Sequence, residues 1–200
     1  MHYFAIIYYM KSLHLSSPHA IMLVGIPGSG KSFFASKFAD TFNTPYIDSE
    51  YIESCSRDIE SAHRIISSVL AEIVKTKQTF IFEGNSSSKV RRMEFARWAR
   101  QHGYLPLLIW VQVDKNTAIR RSLKSKSMTR EQFETELRKF TGPREDEKTI
   151  VISGKHTYAS QAKAVLSYLS QGNRASASVV TPPPRIKKPE QVTARNITIQ

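Results

Sequence analysis

The stretch Gly25-Ile26-Pro27-Gly28-Ser29-Gly30-Lys31-Ser32 constrains this chain more than any other part of it. Two glycines separated by four residues and followed by Lys and Ser form a pattern whose successive backbone N–H groups turn inward to cradle phosphate oxygens. The flanks fit that reading. An apolar run, Ala20 to Val24, precedes the loop, and KSFFASKFADTF follows it. In that second stretch Phe34, Phe38 and Phe42 recur every four residues with Phe33 beside them, which predicts strand, loop and helix, with one helix face packed on a sheet. A helix opening at the loop adds its positive dipole end to the cradle. Lys31 is then placed to reach the β- and γ-phosphates of a nucleotide, and Ser32 to offer a hydroxyl to Mg²⁺. Gly25, Pro27, Gly28, Ser29, Gly30, Lys31, Ser32 and Phe33 are the expected nucleotide-binding residues. ATP and Mg²⁺ are the expected ligands, ATP by default because no Asn-Lys-x-Asp guanine-reading motif occurs.

Downstream, short apolar runs alternate with helical periodicity. Tyr46-Ile47-Asp48 reads as a second strand, and a helix from about Arg57 to Lys77 buries Ile59, Ala62, Ile65, Ile66, Val69, Leu70 and Ile73. Thr79 to Phe82 is a third strand ending at Glu83-Gly84-Asn85, and residues 88–102 form a basic helix stopped by Gly103. Leu105 to Val113 is the most apolar strand. Asp114 caps a helix from Lys115 to about Ser125, and Thr129 with Gln132 has the spacing of a capping box for a helix to Phe140. Ile150 to Ile152 is a fifth strand, and residues 158–170 are a last helix with Ala162, Val165, Leu166 and Leu169 inward. This alternation predicts an α/β three-layer sandwich: a five-stranded, mostly parallel sheet, helices on both faces and a short basic lid.

The expected division is an N-terminal arm or extra start at 1–19, one domain at 20–171, and a Pro-rich, disordered basic tail at 172–200. Hydrophobic residues at 40% and aromatics at 10% of 200 residues suffice for a core. Lys and Arg number 29 against 17 Asp and Glu, a net +12, which favours anionic partners such as nucleotides or nucleic acid. The tail carries five basic residues and one acidic, so residues 1–171 remain at +8. The single Cys55 excludes an intrachain disulfide, and no Cys/His cluster has zinc spacing. No run nears the roughly 18 apolar residues of a membrane span, and apolar residues 3–10 lack the basic flank of a signal peptide. A cytoplasmic monomer or homodimer without a membrane partner is expected.

Three further groups carry chemistry. Glu83 ends the third strand, where a carboxylate holds Mg²⁺ directly or through water. Asp48 ends the second, and Glu50 follows it; strand ends of an open parallel sheet converge on the ligand crevice, so Asp48 is a candidate base for an attacking hydroxyl. Lys115, Arg120, Arg121, Lys124, Lys126 and Arg130 form a run without acidic residues. Its place after the fourth strand suits a lid in which Arg120 or Arg121 stabilises the transferred phosphoryl group. In the basic helix after Asn85, Arg97 and Arg100 read as a solvated face.

The order GIPGSGKS, YIDSE, IFEGN, LLIWVQVD and RRSLK resembles the small P-loop kinases around polynucleotide 5′-kinase and zeta-toxin-like kinases, over residues 20 to 170. That resemblance implies transfer of the ATP γ-phosphoryl group to a hydroxyl on a small metabolite, nucleoside or nucleic-acid end. The family's base maps to Asp48, its strand-three Asn to Asn85 with Glu83 in place of Asp, and the arginine after it to Arg91 or Arg92. Asp48, Glu50, Asn85, Arg91 and Arg92 are thus the implied acceptor contacts. Where the family often has a basic residue after the base, this chain has Ser49-Glu50-Tyr51. Two other readings stay open: a nucleotide or dephospho-coenzyme A type kinase with a phosphorylated acceptor, and a nucleotide-gated ATPase that binds nucleic acid.

Overall fold

A computed structural model describes residues 15, 17–125 and 127–177, with side chains to residue 170. Most of the N-terminal arm, Lys126 of the lid run and residues 178–200 of the tail lie outside the described residues. The elements in chain order are β1 (His19–Val24), α1 (Lys31–Phe42), β2 (Tyr46–Asp48), α2 (Ser49–Cys55), α3 (Ile59–Thr76), β3 (Phe80–Glu83) and α4 (Lys89–Gln101). They continue with β4 (Leu105–Gln112), α5 (Lys115–Lys124), α6 (Arg130–Lys139), β5 (Thr149–Ser153) and α7 (Tyr158–Ala177).

The five strands form one sheet in the order β2-β3-β1-β4-β5, every neighbouring pair parallel. Parallel pairing requires crossovers, and the helices supply them on both faces. On one face Phe34 and Phe38 of α1 and Val165 and Leu169 of α7 pack on Ile21, Leu23, Ile81 and Ile109. On the other, α3 and α4 bring Leu70, Ile73, Phe95 and Trp98 against Ala20, Ile47, Phe80 and Tyr104. This three-layer sandwich points every strand's carboxyl end at one rim, where the β1–α1 loop, Asp48, Glu83, Gln112 and Ser153 gather.

Local signals hold where the cap and the periodicity agree. Asp114 accepts from Thr117 N at 2.9 Å, and Thr129 and Gln132 complete both bonds of the capping box. Three expectations need correction. The stripe of the long helix narrows to Ala62, Ile66, Leu70 and Ile73, one helical seam, leaving Ile59, Ile65 and Val69 exposed on its flanks. Phe33 is 57% exposed, one residue off the Phe34–Phe38 face. Residues 49–55 form a short helix not expected from the sequence, capped by Asp48, and α7 runs to Ala177, into the segment assigned to the tail.

Candidate active site

The β1–α1 loop is held open by its neighbours. Gly28 has φ 73°, and a side chain there would begin 2.3 Å from the Ala118 carbonyl oxygen and 2.6 Å from Ser122 Oγ, so only glycine lets α5 press on the loop. The loop after β5 abuts it too, Gly154 lying against the Ser29 carbonyl. The first backbone bond of α1 runs from Phe34 N to Gly30 O at 3.0 Å, and Gly30 supplies no side-chain cap. The N–H groups of Lys31, Ser32 and Phe33 are left without helical acceptors, the arrangement that suits an anion. Between these neighbours Ser29 is fully buried, its Oγ without a hydrogen-bond partner. Lys31 Nζ arches over the loop to Gly25 O at 3.0 Å and Ile26 O at 3.4 Å, in reach of any phosphate seated there. Exposed Phe33 offers only its backbone.

Beside the cradle, Ser32 Oγ donates to Glu83 Oε1 at 2.9 Å, and Tyr46 Oη donates to Glu83 Oε2 at 2.7 Å. Glu83 is 3% exposed and in register with Asp48 across β3 and β2. Burial, then the bond to Glu83, push the Tyr46 hydroxyl far above its ordinary pKa, so it stays a donor. The strand order therefore brings Ser32, Glu83 and Asp48 together. Among the described residues no group of three or more His, Cys, Asp and Glu is arranged for a metal ion. One hydroxyl and one buried carboxylate fit Mg²⁺, which keeps waters and takes further ligands from nucleotide phosphates.

Two cavities open on this rim. The larger, about 750 Å³, is lined by Trp110, Asp114, Phe140, Lys155 and Gln161 and touches the loop only at Ile26. The other, about 500 Å³, takes in the lysine of the loop: Gly25, Pro27 and Lys31 line it with Glu50, Glu53 and His63 and with Asn85, Arg91, Glu136 and Lys139. Gly84 lets the walls meet, since a side chain there would begin 2.5 Å from Ser49 Oγ. Asp48 does not line this groove. Its Oδ1 caps α2 at Tyr51 N (3.0 Å) and its Oδ2 receives Tyr46 Oη at 3.3 Å. Glu50 does line it, its side chain still open to solvent, and partial desolvation by the groove walls raises its pKa, opposed by the attraction of Lys31 and aided by Glu83, Asp48 and Glu53.

Arg92 is not an acceptor contact, a correction with a clear cause. Its side chain is fully buried, Nε and NH2 gripping Glu147 at 2.7 and 2.9 Å while NH1 donates to Ser86 O and Thr141 O. With its donors spent inside the protein, Arg92 ties the loop after β3 to the segment before β5. Arg91, one residue earlier, faces the groove and pairs with Glu94. In the basic run, Arg121 donates to Gly154 O at 3.0 Å and comes within 4.0 Å of where a Gly30 side chain would start. Arg120 is exposed and has no bonded partner among the described residues. Tyr46, Glu53, His63, Glu136, Lys139 and Glu147 were not foreseen. They reach the site by tertiary packing, and only the position of Tyr46 two residues before Asp48 offered a signal.

A phosphate-cradling loop between β1 and α1, at the carboxyl rim of a parallel sheet ordered 2-3-1-4-5, defines a P-loop α/β protein with a kinase-like fold. The chain belongs to the AAA domain family, whose model matches residues 21–143. Among solved structures it is similar to a gluconokinase from Sinorhizobium meliloti 1021, with a TM-score of 0.59 and 16% identity over 82% of this chain and 98% of that one. A sugar kinase from Janibacter sp. HTCC2649 has a TM-score of 0.58 and 14% identity over 77% of this chain and 95% of that one. No curated protein sequence matches. These findings support the P-loop kinase class and do not single out the polynucleotide 5′-kinase and zeta-toxin-like branch. No helix among the described residues is long and apolar enough to cross a membrane.

Proposed function

We propose that this protein transfers the γ-phosphoryl group of ATP to a hydroxyl of a small, unphosphorylated acceptor. The observation that carries the reading is one groove of about 500 Å³ lined by both Lys31 of the phosphate cradle and the uncommitted carboxylate of Glu50. The N–H groups of residues 28–33 and Lys31 hold the phosphates, and Arg121 closes the nucleotide end against the loop at Gly154. Ser32 and Glu83 hold Mg²⁺, which neutralises charge on the phosphates when bound. Phosphoryl transfer asks mainly for positioning and charge neutralisation, with a base to take the acceptor proton.

Glu50 is the better base. Asp48 spends one oxygen on the α2 cap and the other on Tyr46, whereas Glu50 faces the groove with a raised pKa, nearer the range in which a carboxylate accepts protons efficiently. Asp48 then positions α2 and, through Tyr46, Glu83.

The acceptor's charge follows from the same wall. Arg91 is paired with Glu94 and Lys139 with Glu136, while Glu50 and Glu53 have no ion-pair partner among the described residues. An acceptor side left acidic disfavours a phosphorylated acceptor and suits a neutral or cationic polyol, in line with the sugar kinases of similar fold. That weighs against the nucleotide or dephospho-coenzyme A type of kinase. The test incubates the protein with γ-labelled ATP, Mg²⁺ and neutral sugars, amino sugars, sugar acids, sugar phosphates, nucleosides and 5′-hydroxyl oligonucleotides, with Lys31→Ala as control. Label on a neutral or cationic acceptor, absent in the control, is expected. Label only on phosphorylated acceptors would overturn the acceptor assignment, and label on none while ATP binds would favour the nucleotide-gated ATPase.

A further inference from the structure

The amino end of the sheet, opposite the phosphate cradle, carries charge that phosphoryl transfer does not use. Two adjoining cavities of about 450 and 410 Å³ share Arg100, Pro106 and Lys148 and so form one trough. It runs along α4, whose 13 residues span about 20 Å. It then crosses the starts of β1 and β4 to the outer face of α7. Its floor is apolar, made by Met93, Ala96, Pro106 and Leu108. At the far end stand Tyr168, 41% exposed, and His19, whose imidazole burial keeps below its ordinary pKa.

The rim is cationic without compensation. Arg97, Arg100 and Lys148 are exposed and have no hydrogen-bonded or ion-paired partner among the described residues. The two acids that line the trough are already neutralised, Asp146 by Lys89 and Glu147 by Arg92. Elsewhere Lys75, Arg91, Lys115, Lys139 and Lys155 each sit on a carboxylate. Exposed Arg57, Arg120, Lys124, Arg130 and Lys163 likewise have no ion-paired carboxylate among the described residues, so what sets this rim apart is three such cations around one apolar floor.

We propose that this trough binds a single-stranded nucleic acid, its phosphates on Arg97, Arg100 and Lys148 and its bases on the apolar floor and the Tyr168 ring. A cationic rim spaced along an apolar floor with an aromatic platform is what an unpaired strand requires, since bases stack on rings while the backbone follows the charge. An acidic peptide would satisfy the rim and leave the floor unfilled.

The test is fluorescence anisotropy of a labelled mixed-sequence RNA of about 15 nucleotides, a length within a few single-strand site sizes, titrated with the full chain from about 50 to about 200 mM salt. The triple variant Arg97→Glu, Arg100→Glu, Lys148→Glu should bind at least tenfold more weakly. Its plot of log K against log salt should be shallower by about 2, close to 0.7 for each lost contact on a single strand. Tyr168→Ala should weaken binding several-fold with the slope unchanged. Circular dichroism establishes that each variant is folded; should the triple variant fail there, the three single variants decide by a slope change of about 0.7 each. Absent binding at the lowest salt, an unchanged slope in the charge variants, or competition by poly-glutamate equal to that by RNA would each overturn the proposal.

Discussion

Glu50 and Asp48 show how two carboxylates, two positions apart, are separated by what they touch. Asp48 is tied to Tyr51 N and Tyr46, and Glu50 faces Lys31 across the groove. If Glu50 is the base, it must be unprotonated, and activity falls as pH drops through its pKa. Because partial desolvation raises that pKa above its ordinary value of 4.5, the acid limb of kcat/KM is expected above the usual glutamate range, measured as a pH–rate profile. Asp48→Asn keeps an oxygen for the α2 cap, and its cost in kcat is expected to stay within about tenfold, little more than 1.4 kcal/mol of barrier. A loss of several orders of magnitude in that variant would return the base to Asp48. From the sequence Asp48, at the strand end, was the candidate base and Glu50 an acceptor contact, and the residues alone gave no reason to reverse that order. Ranking needed the cap bond and the tyrosine bond, which exist only once α2 has formed.

At the scale of elements, the Arg92–Glu147 pair holds together the α4 start, the loop after β3 and the segment before β5, beside the groove that Lys31 and Glu50 line. Both partners are buried, so removing one strands a charge. Glu147→Ala is expected to cost about 3–5 kcal/mol of stability in urea unfolding, and Arg92→Met with Glu147→Leu distinctly less than that. Arg92 lowers the Glu147 pKa, so the stabilisation is complete above 4.5, the ordinary value, and is lost as pH falls through the lower folded value. Stability of the double variant should lack that acid-side slope. Elements announced by caps or strict periodicity, such as α1, α5, α6 and the five strands, were legible from the residues. The Arg92 tie was not, because Glu147 lies 55 residues away and nothing local distinguishes Arg92 from Arg91 except the roughly 100° step of the helix that sends one inward and the other to the groove.

For the whole molecule, the β1–α1 loop set the fold class, because a loop of that kind needs a strand behind it and a helix in front, and repeated alternation completes a parallel sheet. The sheet order then decides which carboxylates meet, placing β3 between β1 and β2 so that Glu83 reaches both Ser32 and Tyr46. If the loop is a nucleotide cradle, ATP with Mg²⁺ at about 100 times its Kd adds about 2.7 kcal/mol to unfolding. A thermal melt should show that shift in the native chain and lose it in Lys31→Ala. The most direct test measures ATP binding and label transfer to the best acceptor on the same samples of native protein, Lys31→Ala and Glu50→Gln. The account predicts binding lost in Lys31→Ala, binding kept in Glu50→Gln, and transfer lowered by about 10² to 10⁴ in Glu50→Gln. Native-rate transfer in Glu50→Gln, or undiminished nucleotide binding in Lys31→Ala, would contradict it.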